Sequence, residues 1–266
     1  MSESTVLTDA WLTSLSSFTE LAAGLSEDQW RALSPCPGWS VGDLVAHTVD
    51  IEERLAGVPQ PEYEPDWDAL PHVTESGRRM EPGVDRRRGL ERTIVLDQLS
   101  AIATQRSAQV AELDPDATIL SPFGREITLS TMMRMRVFDL FVHEQDIRLA
   151  LHLPGSLTTV GAQVTQSMII ESLPRTWAKS AAAPEGSVLC VDVIGSDLPR
   201  TVWVRAAQEG RGEILDTPPE TIDITVQGTW PTLLAAATGR SSGTHLRVEG
   251  DAQLAQALVS NLNIAP

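Results

Sequence analysis

The sequence predicts two domains: a mainly α-helical four-helix bundle over residues 1–180 and a small α+β domain over residues 181–266. In the first part, apolar residues recur at helical spacing over long segments. After the Ala/Pro/Gly-rich stretch at 180–187, apolar and polar residues alternate with a period of two, which is typical of strands. The 266 residues are enough for two domains of ordinary size.

Four long amphipathic helices are expected in the first domain, with a fifth that completes or links it. Ser40 is a suitable N-cap for the second helix, because Asp43 follows three residues later in a capping-box pattern. The expected helices run from about Asp9 to Leu25, from Ser40 to Leu55, from Asp85 to Leu113, from near Ser130 (after a turn at Pro122–Gly124) to about His152, and from Thr158 to Lys179.

Residues 58–84 are rich in proline and charge and show no clear period, so they are predicted to form a long crossover loop. Loops of this length often border a functional site. The basic cluster Arg86–Arg88 is predicted to be a solvated helix start.

The second domain combines short strands with two short helices. Strands are predicted at 189–193, 202–204, 222–226 and 245–248, where apolar residues alternate. Helices are predicted from Trp230 to Thr238, with Gly239 as the C-cap, and from Ala252 to Leu262.

Composition narrows the function classes. The formal net charge of −16 argues against binding a nucleic-acid backbone. No apolar run reaches the roughly 20 residues that span a bilayer, and the N-terminus does not resemble a signal peptide, so a cytoplasmic location is expected. A disulfide between Cys36 and Cys190 is not expected in such a compartment, and Cys36 is predicted to be an inert, buried thiol.

Three residues are candidate metal ligands. Asp139 and His143 are four residues apart on a predicted helix and therefore share one face. With His47 from the second helix, they would form a three-ligand site with one open position, as in catalytic metal centres. Such nitrogen and oxygen ligands suit Zn²⁺, and less specifically Fe²⁺, Mn²⁺ or Ni²⁺. Spacing alone equally allows a surface Asp–His ion pair, with His47 a boundary histidine and Asp146 part of a charged rim.

Three segments resemble the mycothiol-dependent maleylpyruvate isomerase family, which has a DinB-like helical bundle. PCPGWSVGDLVAHTVDIEERLAG is similar to its N-terminal signature and FDLFVHEQDIRLAL to its fourth-helix signature. The last segment, residues 230–262, is similar to its second, sterol-carrier-like domain.

The resemblance implies a divalent metal, most simply Zn²⁺, held by His47, Asp139 and His143. It also implies mycothiol, a low-molecular-weight thiol of actinobacteria, as cosubstrate, and a catalytic arginine in the second domain, for which Arg240 is the candidate. The resemblance implies Glu at the position of Asp139; the shorter acid changes the reach of the ligand, so the exact substrate of the family's isomerase is not carried over to this chain.

The expected function is therefore a mycothiol-dependent isomerase or S-transferase that acts on a small electrophile through a metal-activated thiolate. The site is expected between the bundle and the second domain, and the protein is expected to be a monomer or homodimer. The alternative is a non-catalytic bundle that binds a metal or small ligand in a regulatory role.

Overall fold

The computed structural model describes residues 3–75, 77–110, 112–114, 116–121 and 124–265, so Pro122 and Phe123 of the expected turn lie outside the described residues. Contacts between Cα atoms divide the chain into two compact units, Met1–Ser156 and Leu157–Ala265. The sequence predicts the domain boundary near residue 180, whereas this division falls after Ser156. The difference is the predicted fifth helix, which packs on strands of the second unit.

The first unit contains the predicted four-helix bundle. Its long helices are α1, α3, α5 and α6; α1 and α3 each pack against both α5 and α6, which closes the bundle around a core that includes Trp11, Phe18 and Leu140. The helices of this unit are α1 (Glu3–Ala23), α2 (Glu27–Arg31), α3 (Val41–Leu55), α4 (Glu81–Arg88), α5 (Arg92–Val110) and α6 (Leu129–Ala150).

The start of α3 follows the predicted capping box. The Ser40 side chain accepts a hydrogen bond from the Asp43 amide at 3.2 Å, and the Asp43 carboxylate accepts one from the Ser40 amide at 2.8 Å. Two orphan amides of the first turn are thus satisfied, which fixes where α3 begins and where His47 lies along it.

The prediction of a single third helix from Asp85 to Leu113 is wrong. Two helices, α4 and α5, occupy this region and are separated near Gly89. The sequence of α4, EPGVDRRR, is nearly devoid of apolar residues, so hydrophobic spacing could not mark it. The cluster Arg86–Arg88 is the last turn of α4, not a helix start. Its middle residue, Arg87, is only 4% exposed and pairs with the buried Asp50 and the half-buried Glu53, so the prediction of a solvated cluster is wrong for Arg87. The hairpin of β1 (Thr118–Leu120) and β2 (Glu126–Thr128) was also not predicted.

The second unit is an α+β fold with one five-stranded sheet. The strand order is β5-β4-β3-β6-β7; β3 and β6 are parallel, and the other pairs are antiparallel. Helix α7 (Val160–Arg175) continues into a π-helical turn at Thr176–Ser180. The remaining elements are β3 (Val188–Ile194), β4 (Arg200–Ala206), β5 (Gly212–Leu215), β6 (Ile224–Thr229), α8 (Trp230–Ala237), β7 (Arg247–Gly250) and α9 (Ala252–Ser260).

Among the described residues, no helix combines the length and the apolar character that crossing a bilayer would require.

Candidate metal centre

The packing of α3 against α6 brings the three predicted ligands together. Nε2 of His47 lies 3.5 Å from each carboxylate oxygen of Asp139, and Nε2 of His143 lies 3.5 Å from Oδ1 of the same carboxylate. One ligand atom from each residue fits within a group whose members are all within 4.8 Å of one another. Both histidines are buried, whereas the Asp139 side chain is 29% exposed, so the cluster opens on the side of the carboxylate.

The face of α6 that carries these ligands is longer than the predicted pair. Arg136, Asp139, His143 and Asp146 follow one another at intervals of three and four residues, so they form one stripe along the helix. Each member contacts the next: Arg136 pairs with Asp139, Asp139 with His143, and His143 with Asp146.

Asp139 is anchored through one of its oxygens. Arg136 bonds to Oδ2 of Asp139 and also to the buried carboxylate of Glu52, at 2.9 and 3.0 Å. Glu52 is fully buried and accepts further bonds from the Trp11 indole and from Arg106, both at 3.2 Å. This arrangement fixes Asp139 and leaves its Oδ1 facing the two imidazoles.

His143 is anchored on the other side of its ring. Nδ1 lies 3.1 Å from Oδ2 of Asp146, a carboxylate that is only 3% exposed. The thiol of Cys36 donates to the same Oδ2 at 3.5 Å. Cys36 is partly buried and belongs to this cluster, so the prediction that it is a buried, inert thiol misses its place beside the site.

A tryptophan covers the two histidines. The Trp39 ring centroid lies 5.2 Å from that of His47 and 6.2 Å from that of His143. The Trp39 indole donates to Glu81 at 3.0 Å, and His72 packs so closely on Gly38 that a Cβ there would lie 2.2 Å from its ring. The loop predicted to border a site therefore contacts the segment that carries this apolar cover.

Burial and neighbouring charges act differently on the three ligands. Burial lowers the pKa of His47, which favours the neutral ring. Burial by itself raises the pKa of Asp139, but Arg136 and the two imidazoles outweigh it and hold this pKa well below the usual value. Burial likewise lowers the pKa of His143, yet the carboxylates of Asp139 and Asp146 outweigh it and raise this pKa well above the usual value.

The donor set fits a divalent metal. Two imidazole nitrogens and one carboxylate oxygen are ligands that Zn²⁺ prefers, and three protein ligands leave a position for water or substrate. Ligand atoms around a tetrahedral Zn²⁺ are about 3.3 Å apart, close to the 3.5 Å separations between Asp139 and the two rings. In the part of the chain that the structure describes, Nδ1 of His47 has no hydrogen-bond partner, so the polar contacts of this ring are those of Nε2 with Asp139.

Other sequence candidates lie apart from this cluster. Arg240 lies in the second unit just after α8, where its guanidinium donates to the Thr238 carbonyl at 2.6 Å. Sequence reasoning missed Trp39, Cys36, Glu52 and Arg136. The helical spacing of Arg136, Asp139, His143 and Asp146 could have revealed the full stripe. Nothing in the sequence marks the contact of Cys36 or Glu52 with α6.

The comparisons with known proteins agree with the expected resemblance. Residues 11–148 match the family model of the mycothiol maleylpyruvate isomerase N-terminal domain, and residues 164–257 match that of the family's C-terminal domain. Searching curated proteins by sequence gave no match.

Two solved structures share the fold. The chain is similar to the mycothiol-dependent maleylpyruvate isomerase, with a TM-score of 0.59 and 16% identity over 94% of this chain and 93% of that chain. A histidine-to-alanine mutant of the mycothiol-dependent maleylpyruvate isomerase gives a TM-score of 0.61 and 15% identity, with the same coverage. At such low identity, the likeness establishes the arrangement of the backbone.

Proposed function

The chain belongs to the mycothiol maleylpyruvate isomerase family, a family of enzymes, and from that premise we propose that it is a metal-dependent, mycothiol-dependent isomerase or S-transferase. Its substrate is a small electrophile. The observation that carries the proposal is the meeting of His47, Asp139 and His143 within 4.8 Å at the contact of two helices.

The three side chains would hold one divalent metal ion, with Zn²⁺ the best match to the donor set. The lowered pKa of His47 keeps its Nε2 lone pair available, and the lowered pKa of Asp139 keeps its carboxylate ionised. When bound, the metal would lower the pKa of a mycothiol thiol and so supply a thiolate at neutral pH.

The surrounding residues of the chain prepare the site for such chemistry. Arg136 holds Oδ2 of Asp139, and Asp146 contacts Nδ1 of His143, so both ligands have a fixed orientation. Trp39 lies against both histidine rings and excludes water from that side. Because the Asp139 side chain remains 29% exposed, substrate can reach the carboxylate side.

Arg240 is proposed as the residue that binds a carboxylate of the substrate or of the thiol. The support is the resemblance of its segment to the second domain of the family, together with the planar fork of donors that a guanidinium offers to a carboxylate. If it has this role, replacing Arg240 with Lys should raise KM for a carboxylate-bearing electrophile more than it lowers kcat.

A thiol-trapping assay tests the proposal. The purified protein is analysed for metal content and is then incubated with mycothiol and a panel of small electrophiles, with and without a chelator. Mass spectrometry separates the two reactions, because an S-transferase gives a stable thiol adduct and an isomerase gives a product of unchanged mass. Turnover that the chelator abolishes and Zn²⁺ restores would support the proposal. Stoichiometric metal without turnover would instead favour the non-catalytic binding protein, and a protein without metal would refute the metal mechanism.

A further inference from the structure

A second cluster shares His143 with the proposed metal site. It consists of Cys36, His143 and Asp146, whose candidate ligand atoms lie within 4.8 Å of one another. The distances are 3.1 Å from Nδ1 of His143 to Oδ2 of Asp146 and 3.5 Å from Sγ of Cys36 to the same oxygen. The contact of Asp146 orients His143, but orientation alone does not account for which nitrogen binds the metal or for the presence of Cys36.

We infer that Asp146, supported by the Cys36 thiol, is a positioning residue that selects which nitrogen of His143 binds the metal. This inference rests on the proposed function, since it concerns the same metal site. A neutral imidazole carries a single N–H, and the hydrogen-bond partner of one nitrogen decides which nitrogen keeps its lone pair. A carboxylate beside Nδ1 keeps the hydrogen there, so the lone pair is on Nε2, the nitrogen that faces Asp139.

The thiol gives the carboxylate a second donor. Asp146 is 3% exposed, and a buried carboxylate is costly unless its oxygens accept hydrogen bonds. Both His143 and Cys36 bond to Oδ2. With two donors on one oxygen, the carboxylate is fixed in the orientation that meets the ring.

The backbone holds Cys36 rigidly in this position. It lies between Pro35 and Pro37, and a residue that precedes proline is restricted to extended conformations. Its amide also donates to the Ser34 side chain at 3.1 Å. The thiol is therefore held where it can donate to Asp146, and this gives the segment Pro35–Pro37 a role beside the metal site.

Glu144 offers a matched control on the same helix. It is also 3% exposed, but its carboxylate pairs with Arg148 at 2.8 Å. The hydrogen-bond and ion-pair partners described for His143 are Asp139, Asp146 and Cys36, and not Glu144. Replacing Glu144 with Gln therefore removes a buried negative charge from α6 without altering the partner of a ligand.

The experiment compares the wild-type protein with Asp146→Asn, Cys36→Ala, Cys36→Ser and Glu144→Gln. Zn²⁺ affinity is measured by competition with a chromophoric chelator, Co²⁺ spectra report the ligand geometry, and thermal unfolding of the metal-free proteins reports folding. Asp146→Asn should weaken Zn²⁺ binding by about 10–100-fold, the usual cost of losing such a partner, and should change the Co²⁺ spectrum. Cys36→Ala should weaken binding less, Cys36→Ser should restore it, and Glu144→Gln should leave affinity and spectrum unchanged.

Several results would overturn the inference. If Asp146→Asn binds metal as well as Glu144→Gln does, while the wild type binds one ion and turns over, the inference fails and the proposed function stands. A wild type with two ions, reduced to one in Asp146→Asn, would make Asp146 a ligand itself. A wild type that binds no metal would refute both. If Asp146→Asn does not fold, equal Zn²⁺ affinities of Cys36→Ala, Cys36→Ser and the wild type would decide against the positioning role.

Discussion

Helix α3 contributes to two buried clusters of charge that differ in how their carboxylates are satisfied. On the side of α4, both oxygens of Asp50 contact arginines: Arg54 at 2.7 Å, and Arg86 and Arg87 at 3.4 and 3.6 Å. On the side of α6, only Oδ2 of Asp139 contacts an arginine, and Oδ1 faces two imidazole nitrogens at 3.5 Å.

This difference separates a structural cluster from a candidate binding site. Around Asp50 the arginines supply the compensating charge, and Gly83 allows the close approach of α4, since a Cβ there would lie 2.0 Å from the Asp50 carboxylate. Around Asp139, two imidazoles and a carboxylate converge within 4.8 Å, which is what a cation requires. Both clusters bury charged groups. The Asp139 cluster, unlike the Asp50 cluster, has electron-pair donors that face one another.

The largest effect is expected from removing a ligand. His47→Ala should reduce metal affinity by more than the roughly 10–100-fold that loss of an outer partner costs, and should abolish turnover. Metal content after dialysis and thiol-transfer assays measure both effects. His245→Ala, which removes an exposed histidine of the second unit, is the control and should retain both. If His47→Ala kept its metal, the Asp139 cluster could no longer be distinguished from the structural Asp50 cluster as a binding site.

The structural cluster should respond in stability rather than in metal binding. Asp50→Asn removes the fully buried one of the two carboxylates, Asp50 and Glu53, that Arg86 and Arg87 share, so it should lower the free energy of unfolding by about 3 kcal/mol, the low end of the cost of breaking a buried pair. Urea denaturation measures this loss, and the folded variant should keep the wild-type metal affinity. Arg54→Gln removes a more exposed partner and should cost only about 0–1 kcal/mol. A change in metal affinity as large as that of His47→Ala would show that the two clusters are not independent.

Metal binding should weaken on acidification by about tenfold per pH unit below the pKa of His143 in the metal-free protein. The carboxylates of Asp139 and Asp146 raise this pKa against the effect of burial, so the ring holds a proton that the ion must displace. His47 and Asp139 have lowered pKa values and add no further proton release near neutral pH. Affinity should therefore rise with pH and level off above the pKa of His143. Isothermal titration calorimetry in buffers of different ionisation enthalpy counts the protons, and release of none would contradict this assignment.

The smallest effect is expected from Asp139→Glu, which lengthens the acid by one methylene and introduces the residue that the family resemblance implies at this position. Both side chains are carboxylates, so metal should still bind, with affinity changed by less than the roughly 10–100-fold cost of losing an outer partner. The longer side chain moves the carboxylate relative to Arg136, which should alter relative kcat/KM values across the electrophile panel. Loss of metal as complete as in His47→Ala would show that the shorter acid is required here.

The sequence predicted the elements that depend on local signals. The capping box at Ser40 gave the start of α3, and apolar periodicity gave α6 and the strands β3, β4, β6 and β7 of the second unit, but not β5 (Gly212–Leu215). Helix α4 escaped prediction because Val84 is the one large apolar residue that it buries, so its contacts with α3 rely on arginine–carboxylate pairs that hydrophobic spacing does not mark. The two-helix region was consequently read as one helix.

The sequence by itself determined that Asp139 and His143 share a face of one helix, since their spacing follows the helical period. Family resemblance then favoured His47 as the third ligand over a boundary histidine. Only the tertiary structure decided that Cys36 reaches Asp146 and that Glu52 reaches Arg136, because these pairs are separated by 110 and 84 residues and meet through packing of the bundle. Helical period is a local property of the backbone, whereas the partners of a ligand depend on which helices lie side by side.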